Sequence, residues 1–290
     1  MPAFKIGAIA DSFRKDPREG LRAVKEVGAQ GFQIYAVKGE MSPESMDAAA
    51  RKDFRAYSDS LGLEIAALCG DMGGHGFMKA GENPDRIERS KRIVDLAVDL
   101  GTKVVTTHIG VVPERKYSLT YGVLRDACRL LGEYAYSKGV SFAIETGPES
   151  GTVLRNFLDD VGVGGIGVNL DPANLVMVGG HDPVDAVRLL APYIVHTHAK
   201  DGRKLKNCGA DEVYGAFADG TYANLVKRLG GEPFIELPLG EGDVPWEAYL
   251  RALTTVGYSG YLTIEREVGE NPAADIAMAV EFLRKHIQKL

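Results

Sequence analysis

Cysteine is scarce in this 290-residue chain: Cys69, Cys128 and Cys208 are the only three, an odd number with no CxxC spacing. That excludes a disulfide framework and a structural zinc site, and it points to a reducing compartment. Positive charge is also short, with 34 Lys and Arg against 40 Asp and Glu and a formal net charge of −6. Proteins that track phosphate backbones need dense Lys and Arg to release counterions, so a nucleic-acid partner is not expected, although a small anionic substrate stays compatible. Long apolar runs are missing too. No stretch approaches a membrane span, and Phe4 to Ala10 is broken by Lys5 and ends in Asp11-Ser12, too short for the core of a secretory signal. With 45% apolar and 26% charged residues, what remains is a cytoplasmic, globular chain of enzyme size with a sizeable core and no membrane partner.

One local pattern recurs: an amphipathic helix, a glycine, then a short β-branched or aromatic run. It is seen at Gly28, Gly62, Gly101, Gly139 and Gly257, and a glycine there suits the left-handed residue that ends many helices. The helices are one-faced, as Ile93, Leu96, Ala97 and Leu100 show at i, i+3, i+4 and i+7. Strand candidates are 5–10, 31–36, 63–68, 103–107, 140–144, 166–170, 193–197 and 261–264. These runs are too continuously apolar to have a wet face, so a parallel sheet covered by helices is expected. Eight such units in one chain fit a single (β/α)8 TIM barrel of class α/β over 1–290. The rival, a doubly wound sheet, is disfavoured because no GxGxxG follows the first strand. Asp201 to Val244 is expected to be a long loop after strand seven, functional or mobile.

In a barrel, function lies at the carboxyl ends of the strands. Strand five ends Ile144-Glu145-Thr146, strand six Leu170-Asp171-Pro172, strand seven Thr197-His198-Ala199 and strand eight Ile264-Glu265-Arg266. Each residue alone reads equally as a solvated polar group where a strand meets its loop. Together on four consecutive strands they would repel one another at one rim, and a divalent cation removes that conflict. Three carboxylates and an imidazole form a hard, oxygen-rich set that favours Mn²⁺, with Mg²⁺ or Co²⁺ as alternatives, over tetrahedral zinc. Two open positions would suit a vicinal hydroxy-ketone, whose C–H is then acidified beside a carboxylate base.

At these residues the chain resembles the xylose-isomerase-like superfamily of TIM barrels, the sugar phosphate isomerase/epimerase group that includes ketose 3-epimerases and inosose dehydratases. The likeness spans almost the whole chain and rests on Ala143-Ile144-Glu145, Gly167 to Asn174, His196 to Asp201, Leu239 to Asp243 and Gly257 to Glu265. It implies that Glu145, Asp171, His198 and Glu265 bind metal, that Glu145 and Glu265 exchange protons with opposite faces of a ketose or hydroxy-ketone carbohydrate through an enediolate, and that the chain forms dimers or tetramers. The substrate shell departs from the epimerase pattern. Asn174 and Lys204 stand where those enzymes often carry His and Arg, and Gly151, with Glu149 nearby, stands where they carry a second Glu. A lyase or dehydratase outcome at the same site is the alternative, as in inosose dehydratases and keto-glycoside-cleaving relatives. An abasic-site nuclease needs more histidine than the chain has, and a non-catalytic binding barrel would not need the four donors.

Other residues carry two readings each. His108 at the end of strand four contacts a substrate oxygen or is satisfied by a carbonyl. His75 sits in a flexible loop that is either a lid or plain surface, and His196 either orients a ligand or packs inside the barrel. Lys200, Arg203, Lys204 and Lys206 clamp an anion or are simply solvated. Glu241 and Asp243 order the mouth, or Asp243 caps the helix at Trp246. Cys69 reads as a small core residue. Tyr35, Phe77 and Trp246 line a sugar pocket or pack in the core.

Overall fold

The computed structural model describes residues 4–290. Eight parallel strands close into a barrel: β1 (Lys5–Ile9), β2 (Gly31–Tyr35), β3 (Glu64–Cys69), β4 (Val104–Thr107), β5 (Ser141–Glu145), β6 (Ile166–Leu170), β7 (Ile194–Ala199) and, after an insertion, β10 (Tyr261–Ile264). β10 pairs with both β1 and β7, which completes the cylinder. Its outer ring comprises α1 (Pro17–Glu26), α2 (Ala48–Ser60), α3 (Asn83–Leu100), α4 (Leu119–Ser137), α5 (Gly151–Val161), α6 (Pro183–Leu190), α9 (Trp246–Thr255) and α10 (Pro272–Ile287). The helix-ending glycines behave as their sequence context requires, Gly101 and Gly257 both taking φ +82°. Asp16, Asp47, Ser118, Ser150 and Asp182 accept the first-turn N–H groups of α1, α2, α4, α5 and α6. Each helix buries one apolar face, and Ile93, Leu96, Ala97 and Leu100 of α3 are all 2% exposed or less.

The expected loop at 201–244 is folded. It contains an antiparallel pair, β8 (Asp201–Lys204) with β9 (Phe234–Leu237), and between them α7 (Ala210–Ala218) and α8 (Tyr222–Leu229). Its elements are only four to nine residues long, below the length at which a helix or strand reads clearly from sequence. Asp201 fastens the base of this insertion. Its Oδ1 accepts Gly202 N–H at 2.9 Å and Val244 N–H at 3.1 Å, while Oδ2 accepts Gly240 N–H at 2.9 Å and Trp246 Nε1–H at 2.8 Å. Asp243, the expected cap, instead accepts Arg203 Nε–H at 2.8 Å, and no side chain caps α9. Among the described residues no helix is long and apolar enough to cross a membrane.

Candidate active site

Parallel pairing aligns the carboxyl ends of neighbouring strands, with Glu145 opposite Asn169 and Thr263 opposite His198. One donor atom each from Glu145, Asp171, His198 and Glu265 consequently lies within 4.8 Å of the others, and all four side chains are buried. His198 Nδ1 is 3.1 Å from Glu265 Oε2, 3.5 Å from Asp171 Oδ2 and 3.6 Å from Glu145 Oε1. Both Nδ1 of His198 and Oδ2 of Asp171 lack a hydrogen-bond partner. Buried polar atoms are rarely left so, and two facing one point fit a cation-binding centre.

The surrounding groups hold these donors in place. Asn174 Nδ2 donates to Glu145 Oε1 and Asn169 Nδ2 to Glu145 Oε2, each at 3.1 Å. The Asn174 backbone N–H donates to Asp171 Oδ1 at 2.8 Å. His198 Nε2 lies 3.2 Å from Gln33 Oε1 and 3.2 Å from Asn169 Nδ2; the tautomer that donates Nε2–H to the Gln33 oxygen is the one that leaves the Nδ1 lone pair for a cation. Sequence assigns neither amide a role: Gln33 lies in a strand without a motif, and Asn169 lies within the Gly167 to Asn174 motif two residues before the more conspicuous Asp171. Their inward alternation is the one available signal.

The like charges are partly balanced by the chain itself. Lys200, only 3% exposed, places Nζ 3.2 Å from Glu265 Oε2, contacts Glu267 and lies 3.9 Å from Glu236. Burial opposes the Lys200 charge, but Glu265 and Glu267 outweigh it and push its pKa up. Burial likewise opposes ionisation of Glu265, yet Lys200 and His198 hold it below the usual carboxylate range. On the other wall, His108 Nδ1 lies 3.3 Å from Asp71 Oδ2 and Nε2 lies 3.6 Å from Glu145 Oε1. Burial works against its charge, but Glu145 and Asp71 prevail and push its pKa up to about 10. The carbonyl-satisfied reading of His108 therefore gives way to a carboxylate contact, and Asp71 joins the site.

A cavity of about 740 Å³ opens above the cluster, lined by Tyr35, His108, Asn174, Lys200 and three of the four donor residues. Tyr214 of α7 also lines it and packs closely over Gly147, where a Cβ would stand 2.0 Å from the Tyr214 hydroxyl and displace that side chain. A neighbouring chamber of about 660 Å³ shares His108 and Tyr214 and is lined by Thr120, Glu149 and His181.

Other candidates fall elsewhere. Lys204 is outside the cavity lining, its Nζ donating to the Val178 carbonyl at 2.8 Å, and exposed Glu241 is outside it too. With Arg203 paired to Asp243 and Lys206 exposed, the four basic residues do not form one clamp. Phe77 packs edge-on against Phe142 in the core, and Trp246 packs against Tyr249 and Phe282. The His75 loop is pinned: Phe77 N–H donates to the Ile109 carbonyl at 2.9 Å, and His75 Nε2 lies 2.8 Å from Asp219 Oδ1 in the insertion. His196 is buried and bonded to Thr263 Oγ1 at 2.9 Å, and burial holds its pKa down near 3, so it packs as a neutral ring. Cys69 is buried at the cavity floor, where desolvation raises its thiol pKa.

A barrel with this cluster at its carboxyl rim defines the class, and the chain belongs to the xylose isomerase-like TIM barrel family, whose model matches residues 21–286. It is 29% identical to the uncharacterized Bacillus subtilis protein YfiH over 143 residues, 49% of this chain and 43% of that one. It is 24% identical to the uncharacterized Escherichia coli protein YihM over 255 residues, 83% of this chain and 63% of that one. Coverage of both curated relatives is thus below two thirds of their length. A xylose isomerase domain protein from Planctomyces limnophilus superposes with TM-score 0.79 at 28% identity, covering 99% of this chain and 98% of that one. The probable 3-DHS dehydratase AsbF of Bacillus anthracis gives 0.74 at 19% identity, covering 97% and 99%. A D-psicose 3-epimerase from Clostridium cellulolyticum gives 0.72 at 14% identity, covering 98% and 99%.

Proposed function

We propose that the chain is a divalent-metal-dependent isomerase or epimerase of a ketose or hydroxy-ketone carbohydrate. The observation that carries this reading is the convergence of Glu145, Asp171, His198 and Glu265, with two of their donor atoms unpartnered. These four would hold the ion, with Mn²⁺ the best match and Mg²⁺ or Co²⁺ alternatives. A bound ion would polarise two adjoining substrate oxygens and acidify the C–H between them. Glu145 and Glu265 stand on β5 and at the end of β10, and they serve as the acid/base pair that removes a proton from one face and returns one to the other. Asn174 and Asn169 fix the Glu145 carboxylate in this role. His108 and Lys200 offer donors to the substrate's oxygens.

Two measurements test this. Protein stripped of metal and reloaded with Mn²⁺ should bind about one equivalent and gain thermal stability. At a free ion concentration of 100 Kd the gain is about 2.7 kcal/mol. Asp171→Asn and His198→Gln should abolish the gain, and solvent deuterium should enter a carbon-bound position of a turned-over hydroxy-ketone. Full metal occupancy with no exchange into any ketose, inosose or keto-glycoside would sink the proton-transfer reading.

A second outcome at the same site is favoured by Lys200 and His108, two proton donors beside the acid/base carboxylates. A donor placed at a β-hydroxyl turns the same enediolate toward elimination, which makes the chain a dehydratase or other carbon–oxygen lyase. Product mass separates the two: loss of water or of an aglycone supports the lyase, and unchanged mass supports the isomerase.

A further inference from the structure

We infer that the substrate carries an apolar, preferably aromatic, substituent on its carbohydrate head, and that the insertion supplies the subsite for it. This rests on the proposed function for the head group and adds the rest of the molecule. The cavity is divided by chemistry. Its floor presents Glu145, His198, Glu265, Lys200, His108 and Asn174, whereas its outer wall presents Val213, Phe217, Tyr222, Phe234, Ile235 and Val268, with the Glu232, Glu236 and Glu267 carboxylates engaged by Tyr222, Arg266 and Lys200. Five of those six wall residues come from α7, α8 and β9 of the insertion.

The wall is built for an apolar face. Phe217 and Tyr222 stack with centroids 4.2 Å apart and planes 11° apart, and Phe234 lies 6.4 and 6.3 Å from them. The Tyr222 hydroxyl, the one polar atom in this ring cluster, is spent on Glu232 Oε2 at 2.7 Å. The Tyr222 oxygen keeps only its acceptor lone pairs, and the two phenylalanine rings offer a substrate hydroxyl no partner. Phe217 is 52% exposed and Ile235 42%, so apolar surface stands uncovered at the mouth of a site whose floor is polar. Size agrees. Even at a water's share of about 30 Å³ per heavy atom, a hexose fills only about half of the 740 Å³ cavity. A ligand with its hydroxy-ketone on the floor therefore reaches the rings only through a further group.

The test uses a matched pair of probes, methyl and phenyl 3-keto-β-D-glucopyranoside, titrated by calorimetry into the full chain with and without Mn²⁺. The phenyl group's added apolar area together with its aromatic contacts should make the phenyl probe bind about tenfold more tightly. Phe217→Ala, at a half-exposed position, should cut that preference to about twofold or less. A phenyl-to-methyl ratio near one in the wild type, no binding of either probe, or a preference untouched by Phe217→Ala would each overturn the subsite. Metal dependence is read separately. Probes that need Mn²⁺ but show no phenyl preference refute the wall and leave the floor standing, whereas a phenyl preference indifferent to metal refutes the floor and leaves the wall standing. Saturation transfer strongest on the phenyl protons, and lost in Phe217→Ala, would place the ring directly.

Discussion

Glu149 offers a prediction whose size follows from its surroundings. Its side chain is buried in the chamber beside His108, and the Val112 N–H at 3.5 Å is its one hydrogen bond. Desolvation pushes its pKa from 4.5 up to about 8, and the Val112 contact and the His108 charge offset only part of that. The folded protein thus holds the carboxyl neutral while the unfolded chain ionises it. For a group raised on folding, the stabilisation is complete below the unfolded value and drains away as pH climbs toward the folded one. Between pH 5 and pH 8 the loss is about 3–4 kcal/mol, from a slope near 1.4 kcal/mol per unit. Glu149→Gln keeps the shape and the acceptor but removes the titration. Urea unfolding of both proteins at pH 5, 6.5 and 8 in chelator should show the glutamine variant gaining on wild type by about 3 kcal/mol across the range. Parallel stability curves would show that Glu149 is solvated or paired, and the reasoning from its burial would fail.

Lys200→Met should cost about 3–5 kcal/mol near neutral pH, because it leaves buried carboxylates without their cation. The deficit should shrink in acid, since Glu265, lowered on folding, contributes stability above its unfolded value and loses it as pH falls; equal deficits at pH 4 and pH 7 by chemical denaturation would refute the pairing. Asp201→Ala strands four donors that one carboxylate now satisfies and should cost on the order of 4 kcal/mol, read through the fluorescence of the single tryptophan, Trp246. A variant with unchanged urea midpoint and emission would mean that Asp201 does not fasten the insertion.

The barrel is legible in the sequence because its strands are buried on both faces and its helices end on glycines such as Gly101 and Gly257, so period and punctuation agree. Glu145, Asp171, His198 and Glu265 stand out because each terminates an apolar run, where parallel topology brings strand ends together. The insertion is hidden for the opposite reason. Val213, Phe217, Tyr222 and Phe234 belong to short elements split between two helices and a strand, and they acquire meaning only when those elements fold over the rim. Lys204 and Asp243 mislead for a related reason: charge in a sequence gives no direction, and here one is drawn to the Val178 carbonyl and the other to Arg203. Asp71 gives no signal until the β3 and β4 ends are seen side by side.

Asp201 ties both ends of one contiguous stretch to a single carboxylate, while the four clustered donor residues stand at the ends of barrel strands outside that stretch. On the proposed function and the proposed subsite, reactivity and ligand preference occupy separate parts of the chain. Residues between the two anchor points can change to admit a different substituent without disturbing the donors beneath, so a descendant could acquire a new diet through one cassette and keep the old chemistry intact.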